Sequence, residues 1–235
     1  MTLIQERPVN EFVTDDFRTA AVFEKYGIDF CCRGDKSVAK ACAEQGIKVE
    51  ELLREIQETL TATTSAAPNF DAMDLDVLAA HIVETHHRYV REMSPSILKH
   101  TAKVASVHGA NHPETIKIRD AFERIMAELV PHMHKEEMVL FPMIAQLAQA
   151  KRTSVALRNG MISGPISVMR AEHDGVGQEL ALIRELSNQF TLPEDACGTY
   201  RVTFQELAEF ERDLHEHIYL ENAILFPKAL ELARG

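Results

Sequence analysis

The chain lacks tryptophan, and aromatic residues make up only 6% of its 235 positions, so its core must come from Leu, Ile, Val, Ala and Met. That composition suits packed helices better than sheets, and no stretch alternates apolar and polar residues long enough to argue for a strand. Cysteine is scarce too: Cys31, Cys32, Cys42 and Cys197, two of them adjacent, are a poor basis for a secreted disulfide framework. No apolar run reaches the roughly 20 residues that would span a bilayer. The first residues, MTLIQERPVNEF, carry charges and Pro where a signal peptide would be apolar. A cytoplasmic protein with no membrane partner is the expectation. Positive charge is also short, with 25 basic against 36 acidic residues and a net charge of −11. Without a Lys/Arg stripe to reverse that locally, nucleic acid is not an expected partner.

What is present is helical pattern in three stretches, with residues 1–62 expected as a small helical module. Thr14-Asp15-Asp16 precedes a periodic run through Phe17, Ala20, Ala21 and Phe23 that Gly27 is placed to stop. A second run, Ser37 to Cys42, ends at Gly46, and a third begins near Val49. Thr61 to Asn69 is small, polar and closed by Pro68, which predicts a linker over residues 63–72. From 73 to 235 the pattern predicts four long helices. Leu75, Leu78, Ile82, Tyr89 and Met93 lie on the first, and Ile118, Phe122, Ile125 and Leu129 on the second, which Pro131 is expected to kink or fray. Ile166 to Leu186 predicts the third, and Leu192-Pro193-Glu194-Asp195 the start of the fourth. The fold class is all-α.

An internal repeat carries the chemistry. Residues 132–142 read HMHKEEMVLFP and residues 217–227 read HIYLENAILFP. A constant offset of 85 matches His132 to His217, Glu136 to Glu221, and Leu140-Phe141-Pro142 to Leu225-Phe226-Pro227. Upstream, His86-His87 precedes the first copy and Glu172-His173-Asp174 the second at nearly the same distance. Residues four apart share a helix face, so His132 with Glu136, and His217 with Glu221, can aim at one centre. Six inward polar groups in an apolar bundle core cost several kcal/mol unless something satisfies them. Imidazole and carboxylate without thiolate argue against structural zinc and against a cluster held in the bundle. Six ligands suit two ions bridged by both carboxylates, with an oxide or hydroxide completing the bridge. Iron is the expected metal, and manganese or a mixed pair the alternative.

Spacing alone leaves open whether His86 or His87 faces the centre. His134 and His215 fall on a different face from their neighbouring ligands. His108 is a candidate extra ligand, and Glu128 and Glu172, one turn before His132 and next to His173, are candidates to hydrogen-bond a ligand. Cys31-Cys32 ends in Arg33-Gly34, and the nearby cation gives the thiols a route to a lowered pKa. Cys42 and Cys197 read as packing residues, and His100 as surface.

Several segments carry a resemblance. They are Tyr26-Gly27-Ile28-Asp29-Phe30-Cys31-Cys32-Arg33-Gly34, Lys135-Glu136-Glu137, Gly164-Pro165-Ile166-Ser167-Val168-Met169, Glu172-His173-Asp174 and Leu220-Glu221-Asn222. The part from residue 73 resembles hemerythrin-like four-helix bundles, and the whole chain resembles the di-iron proteins that repair iron–sulfur clusters, the repair-of-iron-centres family. The resemblance implies His87, His132, Glu136, His173, His217 and Glu221 as ligands of two irons, with both glutamates bridging. It selects His87 over His86 through one histidine eight residues before Pro95. Pro131 and His134 depart from the family pattern. The resemblance also implies a role for Cys31 and Cys32 in redox chemistry or iron transit, and a homodimer.

The expected function is repair of clusters damaged by nitrosative or oxidative stress through donation of iron, with damaged iron–sulfur proteins or cluster scaffolds as partners. Such a donor turns over no substrate in the ordinary sense. The alternative is a reductase of nitric oxide or peroxide at the same site. A reversible oxygen carrier is disfavoured, because oxygen-carrying relatives have five histidines and only His108 could supply a fifth here.

Overall fold

The structure, a computed structural model, describes residues 4–62, 69–153 and 162–234. The described residues contain helices and no strand, apart from an isolated antiparallel bridge between Pro8 and Ser37.

Four short helices form the N-terminal module: α1 (Val9–Asp15), α2 (Ala20–Lys25), α3 (Val38–Gln45) and α4 (Val49–Thr61). Their ends follow local chemistry. The Asp16 side chain accepts the Arg18 N–H at the turn that leads into α2, and Gly27 ends that helix at φ 64°. Ser37 caps α3 by accepting from the Lys40 N–H, and Gly46 closes it at φ 68°. Helix α1 was not anticipated: the periodicity of Val9, Phe12 and Val13 is only two turns long, and it is the core contact of all three that holds it. Of the expected linker, residues 63–68 lie outside the described residues, and Phe70–Ala72 forms a short turn with Phe70 buried.

The bundle consists of four rods. Helix α5 (Leu75–Ile82) passes through a wide π turn, Val83–His87, into α6 (Arg88–His108). Helix α7 (Glu114–Lys135) passes through a second π turn, Glu136–Leu140, into α8 (Phe141–Thr153). Helix α9 (Ser163–Leu186) has no such turn. Helix α10 (Gly198–Tyr219) passes through a third, Leu220–Leu225, into α11 (Phe226–Arg234). Along the bundle α7 lies against α6 and α9, and α6 against α10, while α8 closes the other end against α5 and α11. Ile97, Phe122, Ile125, Phe210 and Leu214 fill the interior, with Phe122 and Phe210 edge to face at 5.1 Å.

Pro131 does not interrupt its helix. It and Ala127, whose carbonyl loses its usual donor, are both exposed, so the missing hydrogen bond falls on the solvent side of α7. The fourth rod starts at Gly198, a few residues later than its Pro-Glu-Asp signal. No helix among the described residues is long and apolar enough to cross a membrane.

The N-terminal module is seated on the α10–α11 rod around Tyr219. Its hydroxyl pairs with the Thr14 hydroxyl at 2.7 Å, and its ring meets Phe17 and Phe30, each at 5.8 Å. This contact brings the loop carrying Cys31 and Cys32 to the end of the bundle that holds the repeat.

Candidate metal centre

The three π turns fall at the repeat's histidines and glutamates. His87 ends the first, Glu136 begins the second, and Glu221 lies in the third. A π turn holds an extra residue and widens the helix, a distortion that recurs at functional sites. Here it leads both glutamates into the core, where each is fully buried.

His87, His132, His173 and His217 are no more than 2% exposed, and all four point Nε2 inward. They pair across the halves of the repeat: His87 Nε2 is 3.2 Å from His217 Nε2, and His132 Nε2 is 3.1 Å from His173 Nε2. Each glutamate spans both pairs. Glu136 places Oε2 3.4 Å from His87 and Oε1 3.2 Å from His132. Glu221 places Oε1 3.1 Å from His217 and Oε2 2.9 Å from His173. Two four-residue groups result, His87–Glu136–His217–Glu221 and His132–Glu136–His173–Glu221, each with ligand atoms within 4.8 Å of one another.

The outer nitrogens explain why this arrangement needs a cation. His87 Nδ1 donates to Glu137 Oε1 at 2.7 Å, His132 Nδ1 to Glu172 Oε2 at 2.8 Å, and His173 Nδ1 to Asn222 Oδ1 at 3.1 Å. With the proton on Nδ1, the Nε2 of each of these three presents a lone pair, while His217 sets its Nε2 3.1 Å from Glu221 Oε1. The lone pairs of His132 and His173, 3.1 Å apart, repel, and both Glu136 oxygens have no hydrogen-bond partner among the described residues. Buried charge left so is costly, and a positive ion between the groups turns repulsion into attraction. Protons fill that role when no metal does. Burial opposes a charge on His132, but Glu136, Glu221 and Glu172 outweigh it and lift its pKa to about 9. The same balance raises His87, whereas burial prevails at His217 and lowers it. Burial likewise opposes charge on Glu221, yet His217 and His173 hold its carboxyl well below the usual range.

Residues 78–229 match the family model of the Hemerythrin HHE cation binding domain, and residues 5–60 match ScdA_N, a domain of unknown function. The chain is 34% identical to the iron–sulfur cluster repair protein ScdA of Staphylococcus haemolyticus over 96% of this chain and 99% of that one. It is 36% identical to the iron–sulfur cluster repair protein YtfE of Yersinia pestis over 91% of each, and equally to YtfE of Yersinia pseudotuberculosis. The chain belongs to the iron–sulfur cluster repair family. As a member of that family it carries a cation-binding domain of hemerythrin type, in which both four-residue groups lie.

Several residues of this family member went unread in its sequence. Glu137 and Asn222, each one position after a buried glutamate, hold the outer nitrogens of His87 and His173. Phe141 stacks on His87 at 5.8 Å, and Phe226 on His173 at 6.0 Å, so the repeated Leu-Phe-Pro supplies a ring against the first histidine of each half. The repeat itself was the available signal. His86 is buried as well, held by Asp213 at 3.0 Å with its ring parallel to His217 at 5.6 Å.

Other candidates lie apart. His108 ends α6, far along the rod from His87, and its Nε2 meets the Cys197 thiol at 3.2 Å. Cys197 is exposed, not packed; N–H bonds from Tyr200 and Thr199, with His108, lower its pKa. Glu128 is exposed beside Gly175, and it is Glu172 that takes the His132 proton. Arg33 is exposed and does not lower Cys31. The neighbouring Cys32 thiol, burial and Asp29 raise Cys31 well above the ordinary thiol range. The two sulfurs stand 3.7 Å apart and form, with Asp29, a third group able to take a metal.

Proposed function

We propose that this chain holds two iron ions among His87, His132, Glu136, His173, His217 and Glu221, and supports repair of iron–sulfur clusters damaged by nitrosative or oxidative stress by giving up iron. The reading is carried by one observation: two pairs of inward Nε2 atoms, each flanked by one oxygen of both buried glutamates. That disposition suits carboxylates that bridge two ions, and an oxide or hydroxide bridge belongs to the same proposal. Its relatives' names supply the biological half. Nitrogen and oxygen donors hold ferric iron well and ferrous iron less tightly, so the bound pair supplies a reservoir that reduction opens.

The chain's own groups do the rest. Glu137 and Glu172 fix the imidazole tautomers and orientations. Phe141 and Phe226 wall off two of the rings, and the bundle core keeps water from the glutamates. Asp29, Cys31 and Cys32 offer a transit position beside the His173 backbone, where the Cys32 thiol meets the His173 carbonyl at 3.7 Å. Damaged iron–sulfur proteins or cluster scaffolds are the proposed recipients, in the cytoplasm, and the active form is proposed as a homodimer.

The test compares stoichiometry with turnover. Purified protein should carry about two irons per chain and, once reduced, pass them to an apo-cluster acceptor in a single round. Consumption of many nitric oxide or peroxide molecules per iron pair, with no iron transferred, would replace donation by reductase chemistry.

A further inference from the structure

Asn222 and Glu137 occupy the same register of the repeat, 85 positions apart, and each accepts from the outer nitrogen of the first histidine of its half. A carboxylate can only accept, whereas an amide also donates. Asn222 uses both faces: Oδ1 takes the His173 Nδ1 proton at 3.1 Å, and Nδ2 donates to the Cys31 carbonyl at 3.2 Å. A second contact joins the same partners, from the Cys32 thiol to the His173 carbonyl. The approach is close, since a Cβ at Gly177, one turn beyond His173, would stand 3.4 Å from the Cys32 sulfur. The hydrogen bonds of His87, His132 and His217 stay within the bundle among the described residues. The thiol loop therefore reaches one metal-site imidazole, by way of one amide.

We propose that Asn222 is a positioning residue that couples the Cys31–Cys32 loop to His173, so that loop docking and the grip of the His132/His173 side on its ion strengthen each other. The inference rests on the two-iron reading above. The His87/His217 side has no such connection and stays indifferent to the loop. Coupling of this kind is reciprocal: if the docked loop tightens the ion, the ion must also tighten the loop. The first half could not do this, because a glutamate in Asn222's place has no proton for the Cys31 carbonyl.

Two substitutions separate the faces of the amide. Asn222→Asp keeps an acceptor for His173 and loses the donor to Cys31; Asn222→Leu loses both. The measurements are iron content, release of ferrous iron to a chelator, and hydrogen exchange of residues 29–34 with and without iron. In wild-type protein, iron loading should slow exchange in that loop by about 10-fold. Asn222→Asp should retain about two irons and lose this protection. Asn222→Leu should also release one iron of the pair roughly 10-fold faster, leaving the other unchanged. Full protection of the loop in iron-loaded Asn222→Asp would overturn the coupling while leaving the two-iron centre standing. Wild-type protein that takes up no iron would overturn the centre and the coupling together.

Discussion

The two halves of the repeat place matched ligands in unmatched surroundings. In the first half, His87 and His132 lean on carboxylates, Glu137 and Glu172, which are themselves paired with Arg91 and Lys135. In the second half, His173 leans on the neutral amide of Asn222, and the outer nitrogen of His217 has no partner among the described residues. Where Glu172 precedes His173 and serves His132, His86 precedes His87 and only lays its ring along His217. A charged acceptor makes an imidazole a stronger donor to metal than a neutral one or none. On the proposed two-iron reading each ion would take one histidine from each half, so the asymmetry would give both ions one strongly supported and one weakly supported imidazole. The difference lies within each site, not between the sites.

The largest effect is expected at the glutamates that the two four-residue groups share. Glu136→Ala or Glu221→Ala removes an oxygen from both four-residue groups at once. Iron content by metal analysis should fall from about two per chain to below about 0.5 in either variant. Retention of both irons in both variants would break the comparison at its root.

Next come the outer acceptors. Glu137→Gln and Glu172→Gln should each weaken iron binding by about 10- to 100-fold in a chelator competition, while the fold is kept. Equal affinities for wild type and both variants would mean that the charged partners of the first half do nothing that the amide of the second does not.

The halves should also differ in protons. His132 is lifted to about 9 by Glu136, Glu221 and Glu172 against its burial, while burial lowers His217. Metal must therefore displace a proton from His132 and, at lower pH, from His87, so affinity should fall by about 10-fold per pH unit below pH 9 and more steeply once His87 is also protonated. The sign in metal-free protein is opposite. A folded pKa above the usual 6.5 stabilises the fold fully below that pH, and the gain is lost as pH rises through about 9. Thermal melts of metal-free protein across that window should fall for wild type and flatten for His132→Asn. A profile unchanged by that substitution would refute the assignment.

The smallest effect is expected at the far end of the bundle. His108→Gln should leave iron content and release unchanged and only slow alkylation of Cys197, whose thiol it lowers. A loss of iron would reinstate His108 at the centre.

Much of this was legible in the amino-acid order because the relevant signals are local. The His-x-x-x-Glu spacing, its duplication and the long apolar periodicities depend only on helix geometry, and they located five of the six residues that the fold gathers and narrowed the sixth to His86 or His87. Choosing His87 over His86 took the family resemblance, for both are buried, and in the fold their partners separate them: His86 turns to Asp213 and His87 to His217. The thiol loop misled for a related reason. Arg33 is adjacent in sequence, but adjacency says nothing about which side chain enters the interface. The loop buries Cys31 beside Cys32 and Asp29 and leaves the cation outside. Pro131 likewise could not reveal in advance that it faces solvent. Asn222 was invisible as a connector, since its second partner lies 191 positions away.

The wide turns also keep a record of age. Those beginning at Glu136 and Leu220 occupy corresponding places in both copies, each followed by a proline that has no N–H to restore regular helix. The simplest history is that this distortion was inherited from the single ancestral helix pair before it doubled. The turn at Val83–His87 has no counterpart along α9, so the first helices of the two halves differ where the second helices agree. The offset between copies, 85 for the second histidine but 86 between His87 and His173, puts a further single-residue difference after that turn, between the two histidines of a half.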